Sequence, residues 1–202
     1  MADSYWNSES DEYQYPGSTV LKNLPNIRDA AALETFERRA TALRLDEVVT
    51  AISQAPINFA LWQTIHRILF QDIYVWAGRI RTVQLAKGNT VFAMPEHIEA
   101  EAGRLFDALA RENFTTLSRA QFLSRLAYYF GEMNALHPFR EGNGRTQKLL
   151  FDEIARRSGY EIDWAKMEVE VLLQAVIAAF HKQNYIPLEG LFEVALSNKT
   201  TV

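Results

Sequence analysis

Apolar side chains recur along this chain at the three- and four-residue spacing that places them on one face of a helix. Leu33, Phe36, Ala40, Leu43 and Val48 follow Asp29, whose carboxylate suits an N-cap, and they predict one long helix to about residue 48. Phe59, Leu61, Trp62, Ile65, Ile68, Leu69 and Phe70 predict a second over 57–71. Pro95 opens a helix through about residue 110. Ser118 caps another to about 136, with Phe122, Leu126, Tyr129, Phe130 and Met133 facing the core. A helix over 143–157 stops at Gly159. Asp163 caps a helix that is apolar almost all round (Val169, Val171, Leu172, Val176, Ile177, Phe180), a pattern that predicts deep burial. Pro187 starts a last helix bearing Leu188, Leu191, Phe192 and Leu196. One stretch has a different period. Arg79 to Leu85 alternates, Lys87-Gly88-Asn89 is a turn signal, and Thr90-Val91-Phe92 resumes β-type residues. A short hairpin is predicted there as the only β element. The fold class is mainly α. A lone hairpin on a helical body serves as a lid or a docking edge.

Composition bounds this picture. The chain has 202 residues, enough for one domain with a sizeable core. A net charge of −4 gives no basic field, so no direct nucleic-acid binding is expected. The absence of cysteine excludes disulfides and thiolate metal sites and suits a reducing cytosol. No apolar stretch reaches the roughly 18 residues of a membrane span. The start, Met1-Ala2-Asp3-Ser4-Tyr5-Trp6, lacks the basic and apolar regions of a signal peptide. A soluble, cytoplasmic protein is expected. The stretch before Lys22 carries Asp3, Glu9, Asp11 and Glu12 with no Lys or Arg, which predicts a solvated tail, while Tyr13 to Gly17 is expected to dock on the domain. His66, His97 and His181 show no metal-ligand spacing and read as structural.

The chemistry concentrates between two predicted helices, in His137-Pro138-Phe139-Arg140-Glu141-Gly142-Asn143-Gly144-Arg145. His137 can take a proton near neutral pH. Glu141 can hold a hard cation such as Mg²⁺ through oxygen. Gly142 and Gly144 let backbone N–H groups approach an anion. Asn143 donates hydrogen bonds, and Arg145 matches a phosphate with its planar fork. These glycines open a predicted helix, whose first turn offers unpaired N–H groups and a partial positive charge.

The run resembles the signature of Fic-domain proteins, His-x-Phe-x-Asp/Glu-Gly-Asn-Gly-Arg-x-x-Arg. Asp72-Ile73-Tyr74-Val75-Trp76-Ala77-Gly78 resembles the family's segment before its hairpin, and Tyr15-Pro16-Gly17 is similar to the bacterial cell-filamentation branch. The resemblance implies a Fic-type helical bundle with a hairpin flap, over 28–202 with a core at about 55–185, preceded by a tail and docking segment at 1–27. It implies transfer of AMP from ATP to a hydroxyl of a target protein. His137 would be the general base, and Glu141 would hold Mg²⁺ between the α- and β-phosphates. Asn143 and the N–H groups around Gly142 and Gly144 would cradle the anion, and Arg145 would bind the outer phosphates. Phe139 would pin the loop. The target would lie along the flap, with Lys87 and Gly88 near the adenine side. Lys148 stands where the family has a second arginine that helps bind the γ-phosphate; it keeps the charge and loses the bidentate fork. No inhibitory Ser/Thr-x-x-x-Glu-Gly/Asn helix is found. Ser8 to Glu12 has the spacing but reads as tail, and Ser197 has no Glu after it. A toxin inhibited by a separate small antitoxin is therefore expected, acting on a target such as a type II topoisomerase subunit. Transfer of another phosphate-containing group is a weaker alternative, because relatives that phosphorylate carry Asn-Ala-Asn-Lys where this chain has Glu141 to Gly144. A nucleotide-binding module without turnover is the other.

Overall fold

A computed structural model of the chain describes residues 11–53 and 55–198. Its helices are α1 (Ala30–Leu43), α2 (Leu45–Ile52), α3 (Phe59–Phe70), α4 (Pro95–Ala110), α5 (Arg119–Leu136), α6 (Asn143–Arg157), α7 (Val169–Lys182) and α8 (Ile186–Ala195). Four short strands complete it: β1 (Ala86–Lys87), β2 (Thr90–Val91), β3 (Tyr160–Ile162) and β4 (Leu196–Asn198). Among the described residues, no helix is long and apolar enough to cross a membrane.

The bundle is organised around α5, which packs against α4, α6, α7 and α8. Its expected inward residues Phe122, Leu126, Tyr129, Phe130 and Met133 are all buried. Ser118 and Gln121 form a capping box at its start. Asp29 caps α1 by accepting from Ala32 N–H at 2.8 Å, and Asn58 caps α3 from Leu61 N–H at 2.8 Å.

Four expectations are corrected. The long first helix breaks at Arg44 into α1 and α2. Thr41 Oγ1 bonds back to the Glu37 carbonyl, a contact that weakens a helix ladder, and Arg44 leaves the helix to pair with Asp72 and Glu47. The bend keeps Val48 and Ile52 on the core. The hairpin is shorter and shifted: Ala86 pairs with Val91 and Lys87 with Thr90, while 79–85 is irregular around a buried Arg81. A second strand pair was not foreseen. Tyr160, Glu161 and Ile162 pair antiparallel with Asn198, Ser197 and Leu196, so the last helix ends one residue before Leu196. Finally, α7 is peripheral rather than buried all round: Val169 is 82% exposed, and Ala175 and Ala179 are its buried residues. It meets α5 through small side chains. A Cβ on Gly131 would lie 3.1 Å from that of Ala179.

The segment before α1 is not a solvated tail in its described part. Asp11 forms a buried ion pair with Arg140 at 2.6 Å. Tyr13 meets Trp76 edge-to-face and shares a hydrogen bond with Thr82. Ser8 to Ser10 lie outside the described residues.

Candidate active site

His137 terminates α5 with a left-handed backbone (φ +45°), which turns the chain into the loop. A histidine rarely adopts this conformation unless its surroundings impose it. Arg81 supplies part of that constraint. Its buried guanidinium donates to the carbonyls of His137 (2.8 Å) and Val83 (2.7 Å), and also to those of Ala93 and Leu136, and its own N–H reaches the Pro138 carbonyl at 2.9 Å. One side chain thus ties the base of the hairpin to the loop. The His137 ring stacks on Phe92 at 3.9 Å between centroids. Its Nδ1 lies 3.3 Å from the Asn134 carbonyl. A carbonyl can only accept, so Nδ1 carries the proton and Nε2 is the basic nitrogen.

The loop is held from beneath. Phe139 is fully buried against Trp62 and His66. Asn143 uses both ends of its amide on Phe139, accepting from its N–H at 2.9 Å and donating to its carbonyl at 2.7 Å. Its side chain therefore shapes the loop, and its backbone N–H is what it presents at the helix start. Buried His66 accepts from Gly78 N–H at 2.8 Å on Nδ1 and donates from Nε2 to the Glu141 carbonyl at 2.9 Å. Burial pushes its pKa down to about 3, so the ring is a neutral strut.

At the start of α6, Gly142 has φ +80°, and a Cβ there would sit 2.3 Å from the Phe70 ring. Glycine is required by conformation and by space. Gly144 differs. It has no positive φ, and its added Cβ would meet nothing within 4 Å. Unlike α1, α3 and α5, α6 has no side-chain cap. An uncapped first turn beside open space fits a bound anion. The Glu141 carboxylate accepts from Gly142 N–H at 2.8 Å. Among the described residues, no three His, Cys, Asp or Glu converge into a metal cage. Mg²⁺ ordinarily binds through one or two carboxylates plus substrate phosphates, so this donor set fits Mg²⁺ held together with a nucleotide.

Arg145 lies 4.7 Å above the Phe70 ring and pairs with Glu37 (2.8 Å) and Glu141 (3.4 Å). Burial opposes its charge, and the two carboxylates outweigh burial, so its pKa is raised. Glu37 was missed from the sequence. Its signal was a carboxylate on the apolar face of the predicted first helix. Phe92 and Arg81 were missed as well, and nothing local marks them.

Three predicted site residues make their contacts outside this group. The Lys148 ammonium sits 5.1 Å over the Trp164 ring, whereas Arg145 lies over Phe70, and burial lowers the Lys148 pKa against the pull of Asp152. Lys87 and Gly88 form the hairpin turn, Gly88 at φ +58°, whereas the hairpin meets the loop through Phe92.

Comparison with known proteins agrees with this geometry. Residues 56–155 match the Fic/DOC family. The chain is 40% identical over 177 residues to the probable protein adenylyltransferase y4lH of Sinorhizobium fredii, covering 87% of this chain and 91% of the relative. It is 37% identical to the protein adenylyltransferase VbhT of Bartonella schoenbuchensis, over 87% of this chain and 37% of that longer protein. Among solved structures, the N-terminal Fic domain of a VirB-translocated Bep effector of Bartonella quintana, with bound ADP, superposes with a TM-score of 0.84 at 28% identity, covering 94% of this chain and 96% of that one. With the histidine, the glycine-opened helix and the arginine in place, and a relative matched along nearly its whole length, the chain belongs to the Fic/DOC family.

Proposed function

We propose that this chain is a protein adenylyltransferase, moving AMP from ATP to a Ser, Thr or Tyr hydroxyl of a target protein. The observation that carries it is His137, its basic nitrogen set by the Asn134 carbonyl, at the head of a loop that ends in an uncapped helix with open space at Gly144. Relatives that bear the name protein adenylyltransferase and a structural neighbour holding ADP support it.

His137 Nε2 takes the proton of the incoming hydroxyl. The hydroxyl oxygen then bonds to the α-phosphorus, the bond from that phosphorus to the bridging oxygen breaks, and pyrophosphate leaves. The first-turn N–H groups from Asn143 hold the α-phosphate oxygens, and Arg145 engages the outer phosphates. Glu141, together with the phosphates of the nucleotide, would hold Mg²⁺, which when bound would supply charge neutralisation. Phe92 keeps the imidazole plane fixed, so the base is oriented before the target arrives.

The target segment lies along the open edge of the β1–β2 ribbon as an added strand, with Lys87 and Gly88 toward the adenine. Lys148 reaches a γ-phosphate only by leaving Trp164. In this reading the protein is a cytoplasmic toxin held in check by a small antitoxin, and a type II topoisomerase subunit is a candidate target.

The test incubates the purified chain with a bacterial lysate, ATP and Mg²⁺, followed by peptide mass spectrometry. A hydroxyl-bearing residue gaining the mass of AMP, absent with His137→Ala, is expected. Gain of phosphate alone, or labelling that survives His137→Ala, would overturn the assignment.

A further inference from the structure

Arg145 is held from one side. Its Nη2 contacts Glu37 Oε2 at 2.8 Å and Glu141 Oε1 at 3.4 Å, and Phe70 lies under its face. Nη2 bears two hydrogens, so both serve carboxylates. The three N–H groups of Nε and Nη1 make no hydrogen bond among the described residues. Glu37 lies on α1, outside residues 56–155 that match the family. Its side chain is 11% exposed, and its other oxygen accepts from the Tyr74 hydroxyl. Burial, then the Glu37 charge, raise the Tyr74 pKa, so that hydroxyl stays protonated and donates. A buried carboxylate costs stability unless its oxygens are hydrogen-bonded. Leu33 and Ala40, on the same buried face of α1, pack there without any charge.

We propose that Glu37 and Tyr74 are a positioning pair that fixes the Arg145 guanidinium so that Nε and Nη1 meet the outer phosphates of the nucleotide. The proposal rests on the adenylyltransferase reading of this site. The geometry separates it from competition with phosphate. Glu37 engages Arg145 through Nη2 alone, whereas a carboxylate standing in for phosphate would take two parallel donors of the fork. Tyr74 holds Glu37 as Glu37 holds Arg145, which orients a donor outward in steps.

Calorimetry of a non-hydrolysable ATP analogue with Mg²⁺ tests this on wild type, Glu37→Gln, Tyr74→Phe, Arg145→Ala and the Glu37→Gln/Arg145→Ala double variant, with melting temperatures alongside. Glu37→Gln is expected to weaken binding about tenfold, the order of a charged hydrogen bond. Tyr74→Phe keeps its ring stacked on Trp76 at 4.2 Å and is expected to weaken binding less, in the same direction. In the Arg145→Ala background, Glu37→Gln should change nothing further, a coupling that a merely structural role does not produce. Unchanged or tighter binding by Glu37→Gln, or an equal loss in both backgrounds, overturns the proposal. If Glu37→Gln fails to fold, unchanged binding by Tyr74→Phe overturns it instead. A wild-type chain that binds no analogue overturns this proposal and the functional reading together.

Discussion

Two glycines one residue apart in the same helix start are there for opposite reasons. At Gly142 the fold demands glycine, since φ is +80° and Phe70 occupies the place of a Cβ. Gly142→Ala is therefore expected to lower unfolding free energy by about 2–5 kcal/mol, from backbone strain and overpacking. At Gly144 the fold leaves room, and alanine is the better helix former by up to about 1 kcal/mol. Gly144→Ala should keep or raise stability while weakening nucleotide binding at least about tenfold, because the methyl group fills the anion's approach. Urea unfolding beside calorimetry checks both, and equal behaviour of the two variants contradicts the distinction. For His137→Ala, a fall in transfer of about 10² to 10⁴ with an intact fold is expected, the usual loss on removing a general base. At this scale the sequence was most legible. The residues from His137 to Arg145 are contiguous, so their chemistry could be read without knowing the fold. Glu37, Arg81 and Phe92 join them from 108, 56 and about 45 positions away, and no local pattern encodes such an approach.

The helices were legible where caps and periodicity agreed, as for α3, α5 and α6, and less so where tertiary contacts decided. The break at Arg44 depends on Asp72, and the β3–β4 pairing joins segments on either side of α7 and α8. The hydrophobicity of α7 predicted deep burial, yet it meets α5 through Ala179 at Gly131, and Leu172, Val176 and Ile177 end only half-buried. The irregular stretch before β1 read as a strand because it alternates, and the carbonyls that Arg81 satisfies are what keep it out of a ladder. Arg81→Lys retains a charge and loses the fork that serves several carbonyls at once. Transfer should fall about tenfold or more, and the hairpin should become the preferred site of limited proteolysis, since its tie to the loop is weakened. Lys148 tells a similar story on α6. Its ammonium packs on Trp164, so Lys148→Ala is expected to lower stability by about 0.5–1 kcal/mol, the worth of such a contact, and to leave the ATP Michaelis constant within about twofold. A tenfold rise in that constant would mean that the side chain leaves Trp164 for the phosphates.

Across the whole molecule, two buried groups set opposing responses to acid. His66 is held near 3, so below 6.5 the unfolded chain binds a proton that the folded one does not, and stability falls as pH falls. Asp152 is pushed up to about 6, chiefly by burial, against the Trp164 indole and the Lys148 charge. Between its ordinary 3.8 and about 6 the folded chain holds the extra proton, and stability rises as pH falls. Each slope is about 1.4 kcal/mol per pH unit, and between pH 6 and 5 they cancel. Wild-type unfolding free energy should be nearly level there, whereas Asp152→Asn should lose about 1.4 kcal/mol over that unit. A level profile for Asp152→Asn would sink the account. The buried pair of Asp11 and Arg140 has a consequence in time. These residues stand 129 positions apart, so during synthesis at about 5–20 residues per second the first leaves the ribosome roughly ten seconds before the second. Asp11 thus waits for its partner until Arg140 is made. Until Arg140 emerges, Asp11 stays hydrated, while Trp76 and Thr82, the partners of Tyr13, are already made. Nascent chains stalled after Leu136 should expose the segment at Asp11 to protease, and chains stalled well beyond Arg140 should protect it. The clasp between Asp11 and Arg140 thus closes only after two distant parts of the chain have both been made.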